Sequence, residues 1–368
     1  MWETDAKRDC FNPFINEFSY SFQELNKLMF IYILQNNNNM QIGIIGSGSW
    51  ATAIAKILTD NGNTINWWVR KDETISIIKK RKHNPHYLSS AYFDLSLMNL
   101  SSSLEEVVSN SSTVVIALPS AYIHEALSGA PADIFDHKRI ISAVKGILPH
   151  SNQLLQDYLE KKFKVSSDNY FTLLGPCHAE EVAAEKLSYL TFSGNQLQRT
   201  QLVADSFKND YINTITNTDL RGAQYAAILK NIYALGAGIA HGLEYGDNFL
   251  SVFIANASKE MNAFLRIASP NSTEDYASSV YLGDLLVTCY SLYSRNRTFG
   301  NMIGKGYSVK SAQLEMNMVA EGYNASKCIH LTNKTIHAQI PVADTIFSIL
   351  WERIPAVDGF KTIETLLR

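Results

Sequence analysis

A lysine inside an apolar segment is the first residue of this sequence that could do acid–base chemistry. Lys230 lies between Leu229 and Asn231 in a stretch rich in alanine and leucine, with apolar residues at helical spacing. Burial in such surroundings disfavours the charged ammonium and lowers the pKa of a lysine, which can then act as a base near neutral pH. The alternative is a lysine whose amine extends from the apolar surface to solvent.

A second group of residues has the chemistry of a phosphate site. Ser294-Arg295-Asn296-Arg297 combines a hydroxyl, an amide and two guanidiniums in four residues. Charge-assisted hydrogen bonds from such groups suit a phosphate. The alternative is that Ser294 caps a helix and the arginines lie on the surface. Shortly before this group, Asp284 places a carboxylate directly ahead of an apolar run.

The stretch Gln41–Ile54 predicts a strand, a glycine turn and the start of a helix. Gly46, Gly48 and Ala51 stand where a dinucleotide fold needs a sharp turn, close approach of a pyrophosphate and close helix–strand packing. The free N–H groups of the helix that follows favour an anion. A dinucleotide site is therefore predicted, although tight strand–helix turns in other doubly wound proteins can have the same pattern.

Two more cations follow predicted strands. Arg70 and Lys71 come after the strand Ile65–Val69, where NAD-specific sites commonly carry an acidic residue. A cation here favours the 2′-phosphate of NADP, whereas Asp72 and Glu73 keep NAD possible, and a solvated strand end is the alternative. Lys145 follows the strand 139–144, at the sheet edge where ligands of parallel sheets bind. An exposed loop lysine is the alternative there.

These residues must be positioned by two different kinds of structure. Strands and helices alternate from Met40 to Asn217, and continuous apolar runs such as 113–118 are typical of buried parallel strands. From Asp219, a good helix N-cap, the periodicity is helical. The sequence predicts the α/β class: an N-terminal Rossmann-like doubly wound domain, residues 40–217, followed by an all-helical substrate and catalytic domain, residues 218–368.

The first 39 residues differ in character from the rest. The apolar run 28–34 is too short to span a bilayer, and the acidic residues before it and the missing small-residue cleavage site disfavour a signal peptide. We interpret Met1–Asn39 as a poorly ordered or appended extension. Met40 is then a plausible natural start, because a core strand begins immediately after it.

Composition excludes several function classes. The net charge of −3 gives no electrostatic argument for nucleic acid or an anionic membrane as a partner. Cys10, Cys177, Cys289 and Cys328 lack metal-ligand spacing, so we predict no metal site. Reduced thiols in a cytoplasmic protein are the expectation.

Several motifs, in order, give the chain a family resemblance. It resembles the NAD(P)-dependent glycerol-3-phosphate dehydrogenases in their bacterial form, from Met40 to about Leu350. The matching segments are GSGSWATAIA (46–55), AVKG (143–146), GPCHAEEVA (175–183), LKNIYALGAGIAHGL (229–243), GDN (246–248), GDLLVTCYSLYSRNRTFG (283–300) and VAEGYNA (319–325).

The resemblance implies residue roles. Lys230 would be the general base that takes the proton from the C2 hydroxyl of glycerol 3-phosphate, and Lys145 would hold the reacting oxygen beside the nicotinamide and help lower the pKa of Lys230. Asp284 and Thr288 would orient these lysines. The substrate positions would be Lys145, Gly175, Cys177, Lys230, Asp284, Ser294, Arg295 and Asn296. The cofactor positions, for NADP or NAD, would be Gly46, Gly48, Ser49, Trp50, Arg70, Lys145, Ala179, Arg295, Val319 and Glu321.

The resemblance also implies a homodimer through the helical domain and a role in supplying glycerol 3-phosphate for phospholipid synthesis. One departure is Cys177, where the family usually carries serine or threonine. Because a thiol is a weaker donor than a hydroxyl, we expect modestly weaker substrate binding and no nucleophilic role for Cys177.

Two rival functions differ in what they require. A 3-hydroxy acid dehydrogenase or a ketopantoate reductase has the same architecture, but its carboxylate substrate does not call for the Ser294-Arg295-Asn296 cluster. A cofactor-sensing protein that is not an enzyme would be expected to lack Lys145, Lys230 or Asp284, and all three are present.

Overall fold

The computed structural model describes residues 40–316 and 320–368. The predictions for Met1–Asn39 and Val319 lie outside these residues. Within the described ranges, none of the helices combines the length and apolar character that a bilayer crossing requires.

A single sheet with helices around it forms the first part of the described chain, as predicted. The sheet has eight strands in the order β3-β2-β1-β4-β5-β6-β7-β8, and every neighbouring pair is parallel except β6 and β7. Four of the eight strands, β1, β2, β4 and β6, are buried along their whole length, in agreement with their largely apolar sequences. The strands are β1 Ile42–Ile45, β2 Ile65–Trp68, β3 Met98–Ser101, β4 Thr113–Ile116, β5 Arg139–Ser142, β6 Tyr170–Leu174, β7 Ser188–Ser193 and β8 Ile212–Asn217.

Seven α-helices connect these strands. They are α1 Ser49–Asp60, α2 Asp72–Arg81, α3 Leu104–Ser109, α4 Ile123–Leu127, α5 Leu155–Phe163, α6 Ala179–Ala183 and α7 Leu197–Asp205. The helix start predicted within Gln41–Ile54 is confirmed by α1. The segment 74–110 contains most of α2, the edge strand β3 and the short helix α3.

The sheet is not parallel throughout, because β7 and β8 run against the other strands. The connection from β6 to β7 contains only the five-residue helix α6. The chain enters β7 at the end where β6 finishes, and the pair is antiparallel.

The second part of the chain is helical, as predicted. Its centre is the 23-residue helix α8, Leu220–Gly242, which is apolar on all sides and buried along nearly its whole length. Asp219 caps α8 by accepting a hydrogen bond from the Gly222 N–H at 2.8 Å. The helices that surround α8 are α9 Asp247–Ala268, α10 Asp284–Tyr290, α11 Arg295–Gly304, α12 Val309–Glu315, α13 Glu321–Ile336, α14 Pro341–Phe347 and α15 Ala356–Leu366.

Helices α8 and α11 touch through their backbones. A Cβ atom on Gly238 would clash with the Arg297 carbonyl, and one on Gly300 would clash with the Leu235 carbonyl. Glycine is therefore required at both positions for this close crossing. The crossing brings the first turn of α11, with Arg295 and Asn296, next to the middle of α8.

Candidate active site

One pocket contains side chains from both parts of the chain. The sheet contributes the carboxyl ends of its strands and the start of α1, whereas the helical part contributes α8, α10, the start of α11 and the start of α13. The lining residues that the sequence predicted as functional are Gly48, Ser49, Trp50, Lys145, Cys177, Ala179, Lys230, Asp284, Thr288, Ser294, Arg295, Asn296 and Glu321.

A buried ion pair lies at the centre of this pocket. Lys230 Nζ donates to Asp284 Oδ1, and the two residues are only 3% and 1% exposed. The second carboxylate oxygen, Asp284 Oδ2, has no hydrogen-bond partner among the described residues. Thr288 Oγ1 donates to the backbone carbonyl of Asp284 at 2.5 Å and lies 3.4 Å from Oδ1. Asp284 therefore fixes the amine, and Thr288 fixes the turn of α10 that carries the carboxylate.

Burial decides the protonation behaviour of Lys230. Loss of solvent lowers its pKa to about 8, helped by the positive charge of Lys145 and opposed by Asp284. This is the direction that its apolar sequence surroundings predict. Burial also lowers the pKa of the Lys145 ammonium, but the negative charge of Asp284 opposes that effect and the pKa lies above its ordinary value. The pair thus joins a permanent cation to an amine that can change protonation near neutral pH.

A chain of amide groups connects α8, α11 and α13 to the loop after β5. The Gly322 N–H donates to Asn296 Oδ1, and Asn296 Nδ2 donates to Asn231 Oδ1, each at 2.8 Å. Asn231 Nδ2 then donates to the Lys145 carbonyl at 2.8 Å. These hydrogen bonds set the backbone position of Lys145 relative to Lys230. Sequence reasoning placed Asn296 on a phosphate but omitted Asn231 from the site.

Two side chains of the helical part bind loops of the sheet. Arg295 Nη2 donates to Ser49 Oγ at 2.5 Å, at the first residue of α1. The Glu321 carboxylate accepts from the Ser120 N–H at 2.8 Å and from Ser120 Oγ at 2.5 Å. Burial raises the pKa of Glu321, and the hydrogen bonds from Ser120 oppose that rise. Both contacts join the sheet part of the chain to the helical part beside the pocket.

The turn after β6 supplies a thiol and an imidazole. Cys177 Sγ donates to the Gly175 carbonyl at 3.4 Å, and burial raises the pKa of this thiol. A thiol that stays protonated is a poor nucleophile, in agreement with the expectation for Cys177. Burial and the two lysines lower the pKa of His178 to about 4, so the imidazole is neutral at physiological pH.

The glycine turn fits a dinucleotide. Gly46 has a φ of +119°, and a Cβ there would lie 2.5 Å from the Ala117 carbonyl oxygen. A Cβ on Gly48, by contrast, would meet no atom within 4 Å, so space remains in front of the turn. No side chain caps the start of α1, which leaves its first N–H groups to bind a pyrophosphate.

The predicted adenosine end lies apart from the pocket. Arg70 is not among the lining residues, and its guanidinium pairs with Glu125 at 3.3 Å. Gly46 and Gly175 also do not line the pocket. Each has a positive φ and forms a turn two residues before a lining residue, Gly48 and Cys177 respectively. Ser294 lines the pocket and also caps α11, accepting from the Arg297 N–H at 3.3 Å. The capping alternative for Ser294 is therefore observed.

Sequence reasoning missed several residues at this site. Ser120 follows Pro119 at the end of β4, the edge where ligands bind, and that placement was the available signal. Asn231 is adjacent to Lys230, and His178 is adjacent to Cys177. No local signal marks the contact between Glu125 and Arg70.

Sequence comparisons assign the chain to a family. Residues 41–200 match the family model for the NAD-dependent glycerol-3-phosphate dehydrogenase N-terminus, and residues 219–361 match the model for its C-terminus. The glycerol-3-phosphate dehydrogenase [NAD(P)+] of Lacticaseibacillus paracasei is 30% identical over 326 residues, which cover 86% of this chain and 92% of that protein. The chain belongs to the NAD(P)-dependent glycerol-3-phosphate dehydrogenase family.

Other members of this family agree in sequence and in fold. The glycerol-3-phosphate dehydrogenase [NAD(P)+] of Listeria monocytogenes is 32% identical over 313 residues, covering 85% of this chain and 92% of that protein. The solved structure of glycerol-3-phosphate dehydrogenase from Coxiella burnetii has a TM-score of 0.82 at 24% identity and covers 88% of this chain and 98% of that one. Its similarity concerns the fold, which is the predicted α/β domain followed by helices.

The first rival function, a 3-hydroxy acid dehydrogenase or a ketopantoate reductase, is not favoured. A ketopantoate reductase family structure from Ralstonia eutropha covers 87% of this chain and 99% of that one, but its TM-score is 0.56 at 13% identity. The glycerol-3-phosphate dehydrogenase family thus matches better in fold as well as in its sequence models.

Proposed function

We propose that this protein interconverts dihydroxyacetone phosphate and sn-glycerol 3-phosphate with NAD(P)H or NAD(P)+. The observation that carries the proposal is the buried Lys230–Asp284 pair, which shares one pocket with the start of α1 and with Arg295. A proton-transfer group, a dinucleotide turn and a phosphate ligand are the three components that this reaction needs.

The proton steps belong to the lysine pair. The nicotinamide, when bound, supplies or accepts the hydride at C2. The neutral Lys230 amine takes the proton of the C2 hydroxyl during oxidation, and the ammonium returns it to the carbonyl oxygen during reduction. Lys145 holds the same oxygen through its fixed positive charge, while Asp284 and Thr288 keep the Lys230 amine in place.

The remaining contacts orient the substrate. Ser294, Arg295 and Asn296 bind the substrate phosphate, and the second N–H of the Asn296 amide is available for this purpose beside its bond to Asn231. Gly175 and Cys177 line the approach to C2. Binding the phosphate fixes C2 against the nicotinamide, so binding energy is used for orientation. Ser49, Trp50, Ala179 and Glu321 complete the cofactor site.

The organisation of the protein follows from these roles. Residues 40–217 form the dinucleotide-binding domain and residues 218–368 the substrate and catalytic domain, with a homodimer formed through the helices. The protein works in the cytoplasm and supplies glycerol 3-phosphate for phospholipid synthesis. Within residues 40–316 and 320–368, the three cysteines are free and buried, which supports a reducing compartment.

A spectrophotometric assay tests the proposal. Purified protein is mixed with dihydroxyacetone phosphate and NADH or NADPH, and nicotinamide oxidation is followed. We expect oxidation that depends on the phosphorylated substrate, with unphosphorylated dihydroxyacetone and ketopantoate as negative controls. No oxidation with either cofactor would reject the proposal, and activity with ketopantoate alone would favour the rival function.

A further inference from the structure

The pair Arg70–Glu125 is a charged side-chain contact of a predicted cofactor residue that the proposed reaction does not use. The guanidinium and the carboxylate are 3.3 Å apart, and their side chains are 65% and 67% exposed. Both groups are therefore accessible to a ligand that arrives from solvent.

Topology places this pair over the entrance to the glycine turn. Arg70 lies just beyond β2, and Glu125 belongs to α4, the helix that follows β4. In the sheet, β2 and β4 are the two neighbours of β1. An ion pair between residues beyond their carboxyl ends must span the carboxyl end of β1, where the turn at Gly46 begins. In the proposed cofactor site Lys145, which follows β5, marks the nicotinamide side, so the pair on the β2 side would face the adenosine.

NADP and NAD differ only at the 2′ position of the adenosine ribose. NADP carries a phosphate on the adenosine ribose, whereas NAD has a hydroxyl there. A guanidinium binds phosphate through two parallel hydrogen bonds. Glu125 engages the Nη1 group of Arg70 and so competes with a phosphate for one edge of the guanidinium, and the Glu125 carboxylate repels a phosphate dianion. Neither effect acts on an uncharged hydroxyl.

Three other charged residues follow Arg70 in the chain, one cation and two carboxylates. Lys71 precedes α2, and Asp72 and Glu73 form its first turn. Each is exposed and has no ion-pair partner among the described residues. Glu125 is the carboxylate that contacts the Arg70 guanidinium, so its removal changes the charge at that group most directly.

We propose that Glu125 is a specificity-determining residue that weakens the preference for NADPH over NADH by engaging Arg70 and repelling the 2′-phosphate. The inference rests on the proposed function, because it assigns the adenosine end of that cofactor site to Arg70. Exposed ion pairs of this kind change an affinity by about two- to fivefold.

The test compares kcat/KM for NADPH and NADH at saturating dihydroxyacetone phosphate. In Glu125→Gln we expect the NADPH/NADH ratio to rise about two- to fivefold at low salt. The gain should shrink in about 1 M salt, where exposed charges are screened over about 3 Å. Glu125→Asp, which keeps the charge, should stay nearer the wild-type ratio. Glu160→Gln, which removes an equal charge from the exposed side of α5, should not change it.

Two results would overturn the inference: a ratio in Glu125→Gln that is unchanged or lower, or a gain that does not depend on salt. Dissociation constants for NADPH and NADH, measured by fluorescence without substrate, keep the test separate from the proposed reaction. If the wild type binds both cofactors but reduces no dihydroxyacetone phosphate, the proposed function fails, while the ratio of the two constants still tests Glu125.

Discussion

The two ends of the proposed cofactor and substrate site contain the same kinds of charges in opposite environments. At the proposed catalytic end, Lys230 and Asp284 are nearly inaccessible to solvent and make direct contact. At the proposed adenosine end, Arg70 and Glu125 are both about two-thirds exposed. Water screens the Coulomb attraction of the exposed pair and makes it weak. The attraction of the buried pair is screened less, and each of its charges needs the other because little solvent is available to stabilise it.

This difference teaches which part of the site tolerates change. Removing one member of a buried pair leaves an uncompensated charge in a poorly solvated place, which costs about 3–5 kcal/mol. Removing one member of an exposed pair costs at most about 1 kcal/mol. We therefore expect steep effects on chemistry at the catalytic end and graded effects on cofactor choice at the adenosine end. The predictions below test this contrast, from the largest effect to the smallest.

Replacement of Lys230 should have the largest effect. Lys230→Met keeps the aliphatic volume and removes the amine, so turnover should fall by about 10²- to 10⁴-fold, as expected for a lost general acid–base group. Cofactor affinity, measured by fluorescence titration, should change little. Lys230→Ala should behave similarly but with an added loss of stability from the cavity. Near-normal turnover in either variant would mean that the base lies elsewhere.

The pH dependence should report the lowered pKa of Lys230. Oxidation of glycerol 3-phosphate needs the neutral amine, so its kcat/KM should rise about tenfold per pH unit below pH 8 and level off above it. Reduction of dihydroxyacetone phosphate needs the ammonium and should instead decline above pH 8.

A variant at Lys145 sharpens the pH prediction. In Lys145→Met the loss of the neighbouring positive charge should move the inflection of the residual activity to higher pH. A flat profile between pH 6 and about 9 would contradict the assignment of Lys230 as the titrating group.

Cutting the amide chain should have an intermediate effect. Asn231→Ala leaves the Asn296 amide and the Lys145 carbonyl without their partner, so we expect roughly tenfold lower kcat through misplaced groups and about 1–3 kcal/mol lower stability. Asn256→Ala is the matched control, because this buried amide bonds Val252 and Arg368 away from the pocket. The control should lose stability in thermal unfolding but keep its kcat, and equal kcat losses would contradict a positioning role for Asn231.

Replacement of Cys177 should have the smallest effect. A serine hydroxyl is a stronger donor than the thiol, so Cys177→Ser should lower the KM for dihydroxyacetone phosphate by about threefold. Cys328→Ser, a buried cysteine of α13, serves as the control with unchanged KM. A higher KM in Cys177→Ser would show that the thiol suits this site better than a hydroxyl.

Sequence alone predicted the parts of the fold and site that depend on local chemistry. The turn at Gly46, the start of α1 at Ser49 and the cap at Asp219 each follow from a few adjacent residues. The lowered pKa of Lys230 was predictable because its own helix is apolar on all sides, which indicates that the helix is buried. The edge strand β3 was missed because its polar residues, such as Asn99, give it no continuous apolar run.

Contacts between distant residues could not be predicted in this way. Glu321 and Ser120 are 201 residues apart, and Asn231 and Lys145 are 86 apart. Such pairs form only because the packing of α13 and α8 against the sheet brings their backbones together. The antiparallel direction of β7 is likewise a property of its pairing with β6, which the residues within the strand do not specify.

Helices α8 and α11 approach each other most closely at Gly238 and Gly300, so a rotation of α8 about this contact would move residues farther along the helix. Lys230 lies eight residues before Gly238 on α8, a distance of about 12 Å along the helix axis. A 10° change in the crossing angle would therefore shift the amine by about 2 Å, and a displacement of about 1 Å can already cost a hundredfold in rate. The close contact that Gly238 and Gly300 allow thus keeps the crossing angle, and with it the position of the Lys230 amine, within narrow limits.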